Sequence, residues 1–295
     1  MNTRVPTTIP EYLAAVRAAL AGADPALVQD ALYDAEDHLR SELAANPGTD
    51  EATLLAKIAT SYGSPEEVAE IYRDTEVTVR RAMATPPAPP AQSWLGKVFG
   101  VARDPRAYSA LIYMLLSLAT GVLYFTLTVT GLSMSASFAV LIIGIPFFLL
   151  FLGLVSLVEG RVVETLLGVR MPRRPHNPER NLPWLDRIKA MLVDPRTWST
   201  LLYMAGMLPL GIVYFTVAVT GLAVSLVLIG SPIAYFFFDG QAGVLLDGHQ
   251  VIPAGIALPV AMVIGVLLLF IVLHLARAIG HVHGRLAHHL LVKVA

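Results

Sequence analysis

Apolar positions follow two regimes along the chain, and the change comes abruptly near Tyr108. Before it, apolar residues recur every three or four positions among charged ones, the spacing of amphipathic helices. Tyr12, Leu13, Val16 and Leu20 share one face of a first helix that Pro10 can open. Asp24-Pro25 reads as an N-cap followed by proline at the first helical position. That second helix carries Val28, Leu32, Ala35, Leu39 and Leu43 and ends at Asn46-Pro47-Gly48. A third covers about Asp50 to Tyr62 and stops at Gly63. Ser64-Pro65-Glu66-Glu67 forms a capping box for a fourth, Pro65 to about Met83, with Val68, Ile71 and Tyr72.

After Tyr108 the apolar runs lengthen. Four of them, about 108–130, 137–158, 198–220 and 254–277, are long enough to cross a hydrocarbon core of ~30 Å. Residues 222–238 form a fifth, shorter run. All 21 Lys and Arg lie in 1–106, 161–196 or 277–293. With four spans, both termini and the central 159–197 segment are cytoplasmic and every basic residue is inside. The 222–238 run is then expected to be re-entrant, interfacial or part of a long bent hairpin, shielded by protein.

The second half repeats the first at a constant offset of 90. Trp94-Leu95 matches Trp184-Leu185, and Asp104-Pro105-Arg106 matches Asp194-Pro195-Arg196. Gly121-Val-Leu-Tyr-Phe-Thr126 matches Gly211-Ile-Val-Tyr-Phe-Thr216, and Val129-Thr-Gly-Leu132 matches Val219-Thr-Gly-Leu222. Farther on, Gly160-Arg161 resembles Gly284-Arg285 at an offset of 124. The longer offset implies an insertion in the second copy. Both copies enter from the same side, as parallel repeats do. The expected fold is all-α: a small cytoplasmic helical bundle joined to a polytopic helical membrane domain. Its parts are a front domain at 1–83, a Pro-rich spacer at 84–93, and repeat one at 94–174. Repeat two, 184–295, carries an outward-facing insertion near 239–253, where Asp247-Gly248 signals a type I′ hairpin. Each repeat opens on an amphipathic basic helix, Trp94 to Val101 and Trp184 to Val193, and Pro172 to Pro178 forms an extended basic loop between them.

Composition agrees with this division. Hydrophobic residues make up 55% of the 295, charged residues only 15%, and mean hydropathy is +0.63. The net charge of −1 hides a split: residues 1–82 carry 7 basic and 14 acidic side chains, and the rest is net basic. The acidic front domain is not expected to bind nucleic acid directly. No cysteine is present, which excludes disulfides, cysteine metal sites and thiol catalysis. The first residues lack the basic and apolar regions of a cleaved signal peptide.

Few residues carry candidate chemistry. Tyr124, Thr126 and Thr130, with Tyr214, Thr216 and Thr220, place hydroxyls near the outer ends of matching spans. They form a candidate ligand-lining set, or else interhelical hydrogen bonds and interface anchors. No ionisable residue is expected near mid-membrane, with Glu159 and His274 at cytoplasmic ends, and this argues against proton-coupled transport. His274, His281 and His288 recur every seven residues, about 10 Å apart along a helix, too far to share a metal ion. His281 and His288 are expected to meet lipid headgroups. Asp34, Asp37, His38 and Glu42 cluster on the second helix as a solvated face or a partner surface. The Asp-Pro-Arg motifs read as helix caps. No nucleophile elbow, phosphate-binding loop or metalloprotease motif occurs, so no enzyme activity, cofactor or metal is expected.

Tyr12-Leu13, Asp34 to Leu39 and Tyr62-Gly-Ser-Pro-Glu-Glu-Val-Ala69 resemble the HAAS family. The resemblance implies a cytoplasmic helical signalling module fused to membrane segments and accompanied by PadR-like transcription regulators. Residues 94–295 resemble the sensor membrane domain of some bacterial histidine kinases, through Asp104-Pro105-Arg106, Tyr124-Phe125, Thr130-Gly131-Leu132, Ile143-Gly144-Ile145-Pro146 and Glu159-Gly160-Arg161. The second copy keeps the first three and lacks Glu159. Neither family supplies catalytic residues. Together they imply an inner-membrane sensor, lipid-embedded and a candidate homo-oligomer, that relays an envelope or lipophilic signal to a cytosolic regulator through the front domain. A transporter, channel or transporter accessory subunit is the alternative.

Overall fold

The computed structural model describes residues 6–83, 94–137, 144–175, 183–237, 245–246, 249–250 and 254–292. The spacer at 84–93, the hairpin turn at 247–248 and part of the inter-repeat loop lie outside these residues. The front domain folds as α1 (Ile9–Ala19), α2 (Pro25–Ala45), α3 (Glu51–Ser61) and α4 (Pro65–Met83). The predicted caps are in place. Asp24 Oδ1 accepts from Ala26 N–H at 2.8 Å. Ser64 and Glu67 close the capping box reciprocally, Ser64 N–H to Glu67 Oε2 at 2.8 Å and Glu67 N–H to Ser64 Oγ at 3.3 Å. Tyr12, Val16 and Leu20 of α1, Ala31, Ala35 and Leu39 of α2, and Leu54, Leu55 and Ile58 of α3 form one buried cluster.

The apolar part comprises α5 (Trp94–Phe99), α6 (Pro105–Ser137), α7 (Gly144–Leu167), α8 (Trp184–Val193), α9 (Pro195–Phe237) and α10 (Ala254–Leu291). A short 3₁₀ turn, Gly100–Arg103, joins α5 to Asp104. Asp104 and Asp194 cap α6 and α9, each accepting the N–H of the arginine two residues on, at 3.0 and 2.9 Å. Among the described residues, four helices are long and apolar enough to cross a membrane: α6, α7, α9 and α10. Strands β1 (Leu245–Leu246) and β2 (His249–Gln250) pair antiparallel, with Leu246 opposite His249, and the expected type I′ turn at Asp247-Gly248 falls outside the described residues.

Residues 222–238 do not form a separate re-entrant piece. Helix α9 runs unbroken from Pro195 to Phe237, 43 residues or about 64 Å. Proline 232 removes the N–H that would bond the Leu228 carbonyl, and the Ser231 hydroxyl donates to that carbonyl instead, at 2.8 Å. The apolar run therefore belongs to one long helix, and the number of spans stays at four.

The most extensive helix contact is between α6 and α9. It depends on two glycines. A Cβ on Gly121 would collide with the Met207 carbonyl, and one on Gly211 with the Ser117 carbonyl. The two clashes exchange under the offset of 90 found in the sequence. Only a residue without a side chain lets the two backbones approach this closely.

Candidate functional site

Where α6, α7, α9 and α10 meet, two ionisable side chains are wholly removed from solvent. Glu159 of α7 and His283 of α10 are each 0% exposed. Glu159 Oε1 accepts from the hydroxyls of Tyr113 and Tyr203, both at 2.8 Å, and Oε2 accepts from Tyr124 at 2.9 Å. The same Tyr113 and Tyr203 hydroxyls lie 2.5 and 2.9 Å from His283 Nε2, and Tyr214 lies 3.3 Å from Nδ1. The rings of Tyr113, Tyr203 and Tyr214 surround the imidazole at 4.9 to 5.8 Å between centroids.

This layer puts two ionisable groups inside the helix bundle, one of them the Glu159 that the sequence assigns to a cytoplasmic end. Tyr113 and Tyr124 stand about 12 and 28 Å along α6 from Pro105, and Glu159 is held between them. It therefore sits well inside the bundle rather than at a helix end. His283 is likewise interior, because α10 continues to Leu291 and turns this residue inward. His274 remains at the surface, 3.0 Å from the Val98 carbonyl. Of the other tail histidines, His281 is exposed and His288 approaches Asp24 of the front domain at 3.7 Å.

Hydrogen inventory fixes the tautomer. A tyrosine hydroxyl has one hydrogen to give. If Tyr113 and Tyr203 give theirs to the carboxylate, their oxygens can only accept from the imidazole. His283 must then carry hydrogen on Nε2, a conclusion drawn from the pattern of partners. Under that assignment every contact in the layer has a donor and an acceptor. A lone carboxylate buried without a counter-charge costs several kcal/mol even after relaxation, so the nearby imidazole matters to the energetics.

The layer is also exchange-symmetric. Tyr113 corresponds to Tyr203 and Tyr124 to Tyr214 at offset 90, and Glu159 corresponds to His283 at offset 124. Each hydrogen bond to Glu159 maps onto a contact to His283. The second repeat therefore does not simply lack Glu159, because an imidazole stands in its place.

Of the candidate ligand-lining residues, the structure brings Tyr124 and Tyr214 into this layer. Thr126, Thr130, Thr216 and Thr220 lie on the exposed outer surface of α6 and α9, while Thr128 points inward.

A junction with the front domain lies directly beneath. Helix α7 ends at Leu167, and Gly168, at φ +69°, turns the chain back. Met171, 1% exposed, packs over Gly160 and joins the cluster of Tyr113, Tyr124 and Tyr203. Ala26 of α2 belongs to the same cluster. Asp30 of α2 binds the returning chain three ways: Oδ2 to Arg170 Nη2 at 2.8 Å, and Oδ1 to the N–H groups of Arg173 and Arg174 at 2.7 and 2.8 Å. Arg170 also meets Glu76 at 3.2 Å and Glu164 at 3.5 Å. Burial alone would lower the Arg170 pKa, but Asp30, Glu76 and Glu164 outweigh it and hold the guanidinium charged. Arg196 of the second Asp-Pro-Arg motif donates to Gln29 Oε1 of α2 at 2.7 Å.

The candidate partner surface divides in the structure. Asp34 pairs with Arg174 at 2.7 Å and accepts from Tyr72 at 2.9 Å. His38 stacks on Tyr62 at 4.2 Å. Asp37 is exposed and Glu42 half-buried. Among the described residues, no group of three or more His, Cys, Asp or Glu could hold a metal ion.

Residues 113–291 match the family described as "Putative sensor", and residues 11–71 match HAAS. No curated protein and no solved structure gave a match. The first match spans more than half of the sequence and covers the whole buried layer, so the chain belongs to this sensor family and carries a HAAS domain at its front.

Proposed function

We propose that this chain is a sensor of the bacterial inner membrane, with both termini cytoplasmic and the HAAS domain as its output. The observation that carries the reading is the Asp30 clamp, which fastens the HAAS domain to the loop leaving α7. The fastening point rests on Met171, and Met171 rests on the buried layer. A change within the bundle therefore has a short mechanical route to α2. A basic DNA-binding regulator of the PadR type fits the acidic domain by charge. The domain division at 83, the two parallel repeats and a non-catalytic role belong to the same reading.

A bacterial two-hybrid assay of the full chain against a PadR-like regulator tests it. Interaction should be lost on deleting residues 1–83 and altered by Asp30→Asn. Absence of any interaction with the intact chain counts against the reading. The transport alternative gains from the buried Glu159–His283 layer, because ionisable groups inside a bundle mark ion paths in transporters. Solute flux in proteoliposomes, unchanged by deleting residues 1–83, would favour it.

A further inference from the structure

We propose that the Glu159–His283 layer is a proton-binding site, and that its occupancy sets whether the HAAS domain is docked. The proposal rests on the sensor reading and names its stimulus. Four elements supply the titratable groups that face each other here: Tyr113 and Tyr124 from α6, Glu159 from α7, Tyr203 and Tyr214 from α9, and His283 from α10. With the carboxylate ionised and the imidazole neutral, the layer carries one uncompensated negative charge. One proton from water removes it, and no other reactant is needed.

The geometry offers the proton two places without breaking a contact. On His283 Nδ1 it makes the imidazolium, and Tyr214 turns from donor to acceptor across 3.3 Å. On Glu159 Oε2 it makes the neutral acid, and Tyr124 reverses in the same way across 2.9 Å. Tyr113 and Tyr203 each bridge Oε1 to Nε2, so the acid and the base share two hydroxyls and a proton taken up at either one is felt by the other. A cleft lined by Ser156, Gly160, Met171, Arg196 and Thr200 reaches Gly160, the residue next to Glu159, and Met171 forms part of its wall. The packed state, with its neutral layer, is the one in which Met171 covers Gly160. Loss of the proton leaves a bare carboxylate in the bundle, and hydrating it requires Met171 and the Arg170 loop to move away.

The absence of native cysteine makes the test clean. Spin labels at Ala44→Cys in α2 and Lys189→Cys in α8, both at exposed positions, report docking by electron–electron distance measurement in lipid nanodiscs. The full chain should pass from a docked to an undocked distance population as pH rises from 5 to 9, with the slope of a single proton. Glu159→Gln, which keeps the acceptor for both tyrosines and donates to Tyr124, should stay docked throughout. Tyr214→Phe keeps the fold and should displace the midpoint. A pH-independent distance in the unaltered chain overturns the proposal, as does a Glu159→Gln protein that titrates like it. Should Glu159→Gln fail to fold, His283→Gln is read in its place, and an unaltered titration there overturns the proposal equally. Undocking that follows pH and disappears in Glu159→Gln, without any change in regulator binding, upholds the proton site and removes the relay.

Discussion

Asp30→Asn examines the junction on which the sensor reading depends. The pair with Arg170 is poorly screened, since the two side chains are 8% and 13% exposed. Removing one partner of a buried ion pair costs ~3–5 kcal/mol when the other is stranded. Arg170 is not stranded, because Glu76 and Glu164 remain within 3.5 Å. Asparagine also keeps an oxygen for the N–H groups of Arg173 and Arg174. The loss is then one charge-assisted hydrogen bond, about 1.5–3 kcal/mol. That corresponds to a fall of roughly 10- to 150-fold in the docked-to-undocked ratio. Amide exchange of residues 170–174 in the full chain reads the change directly, since the Arg173 and Arg174 N–H groups are protected by Asp30 only while docked. Asp30→Ala removes those acceptors too and should accelerate exchange further. Glu36→Gln, which breaks only the pair with Arg40 within α2, should leave these amides unchanged. Exchange in Asp30→Ala within twofold of the unaltered chain would refute the clamp.

Two further outcomes follow from the packing. Gly211→Ala places a methyl against the Ser117 carbonyl, and backbone cannot swing aside, so thermal stability in detergent should fall by about 1–3 kcal/mol. Gly153→Ala meets no atom within 4 Å and should be neutral or stabilising by up to ~1 kcal/mol; equal effects at both positions would contradict the close α6–α9 crossing. Acid should loosen the front domain through Asp24. Burial raises its pKa, but His288 and the Ala26 N–H outweigh burial and hold it below 3.8. A depressed carboxylate contributes stability that is complete above its unfolded value and is lost as pH falls through its folded one. The Asp24 contribution should therefore persist down to about pH 4 and vanish below it, and Asp24→Ala should lack that acid step in a pH-resolved unfolding series.

What the sequence disclosed and what it hid separate along a physical line. Features set by neighbours within one turn were legible: the Ser64–Glu67 capping box and the Asp104 and Asp194 caps follow from local hydrogen bonding. Gly121 and Gly211 recur at matching positions in the two halves, and their recurrence is the sequence trace of the close α6–α9 approach. The end of α9 was not legible, because the re-entrant reading of the 222–238 run came from the placement of Lys and Arg, which says nothing of how Ser231 satisfies the carbonyl that Pro232 abandons. Helical phase misassigned the hydroxyls. Gly121, Tyr124 and Thr128 share the inward stripe of α6, whereas Thr126 and Thr130 fall on its far side. Glu159 was named in the Glu159-Gly160-Arg161 motif but its surroundings were not legible, because all its partners are remote in sequence: Tyr113, Tyr124 and Tyr203 come from two other helices. The signal was nevertheless present. Gly160-Arg161 pairs with Gly284-Arg285, and stepping back one residue sets Glu159 against His283. The two similar halves thus keep one geometry in this layer while carrying an acid in one and a base in the other. Two carboxylates there would repel across a shared tyrosine, and two imidazoles would leave the hydroxyls without an anion to receive them. An acid and a base let the same tyrosines satisfy both, which gives a physical reason for the halves to differ at this point.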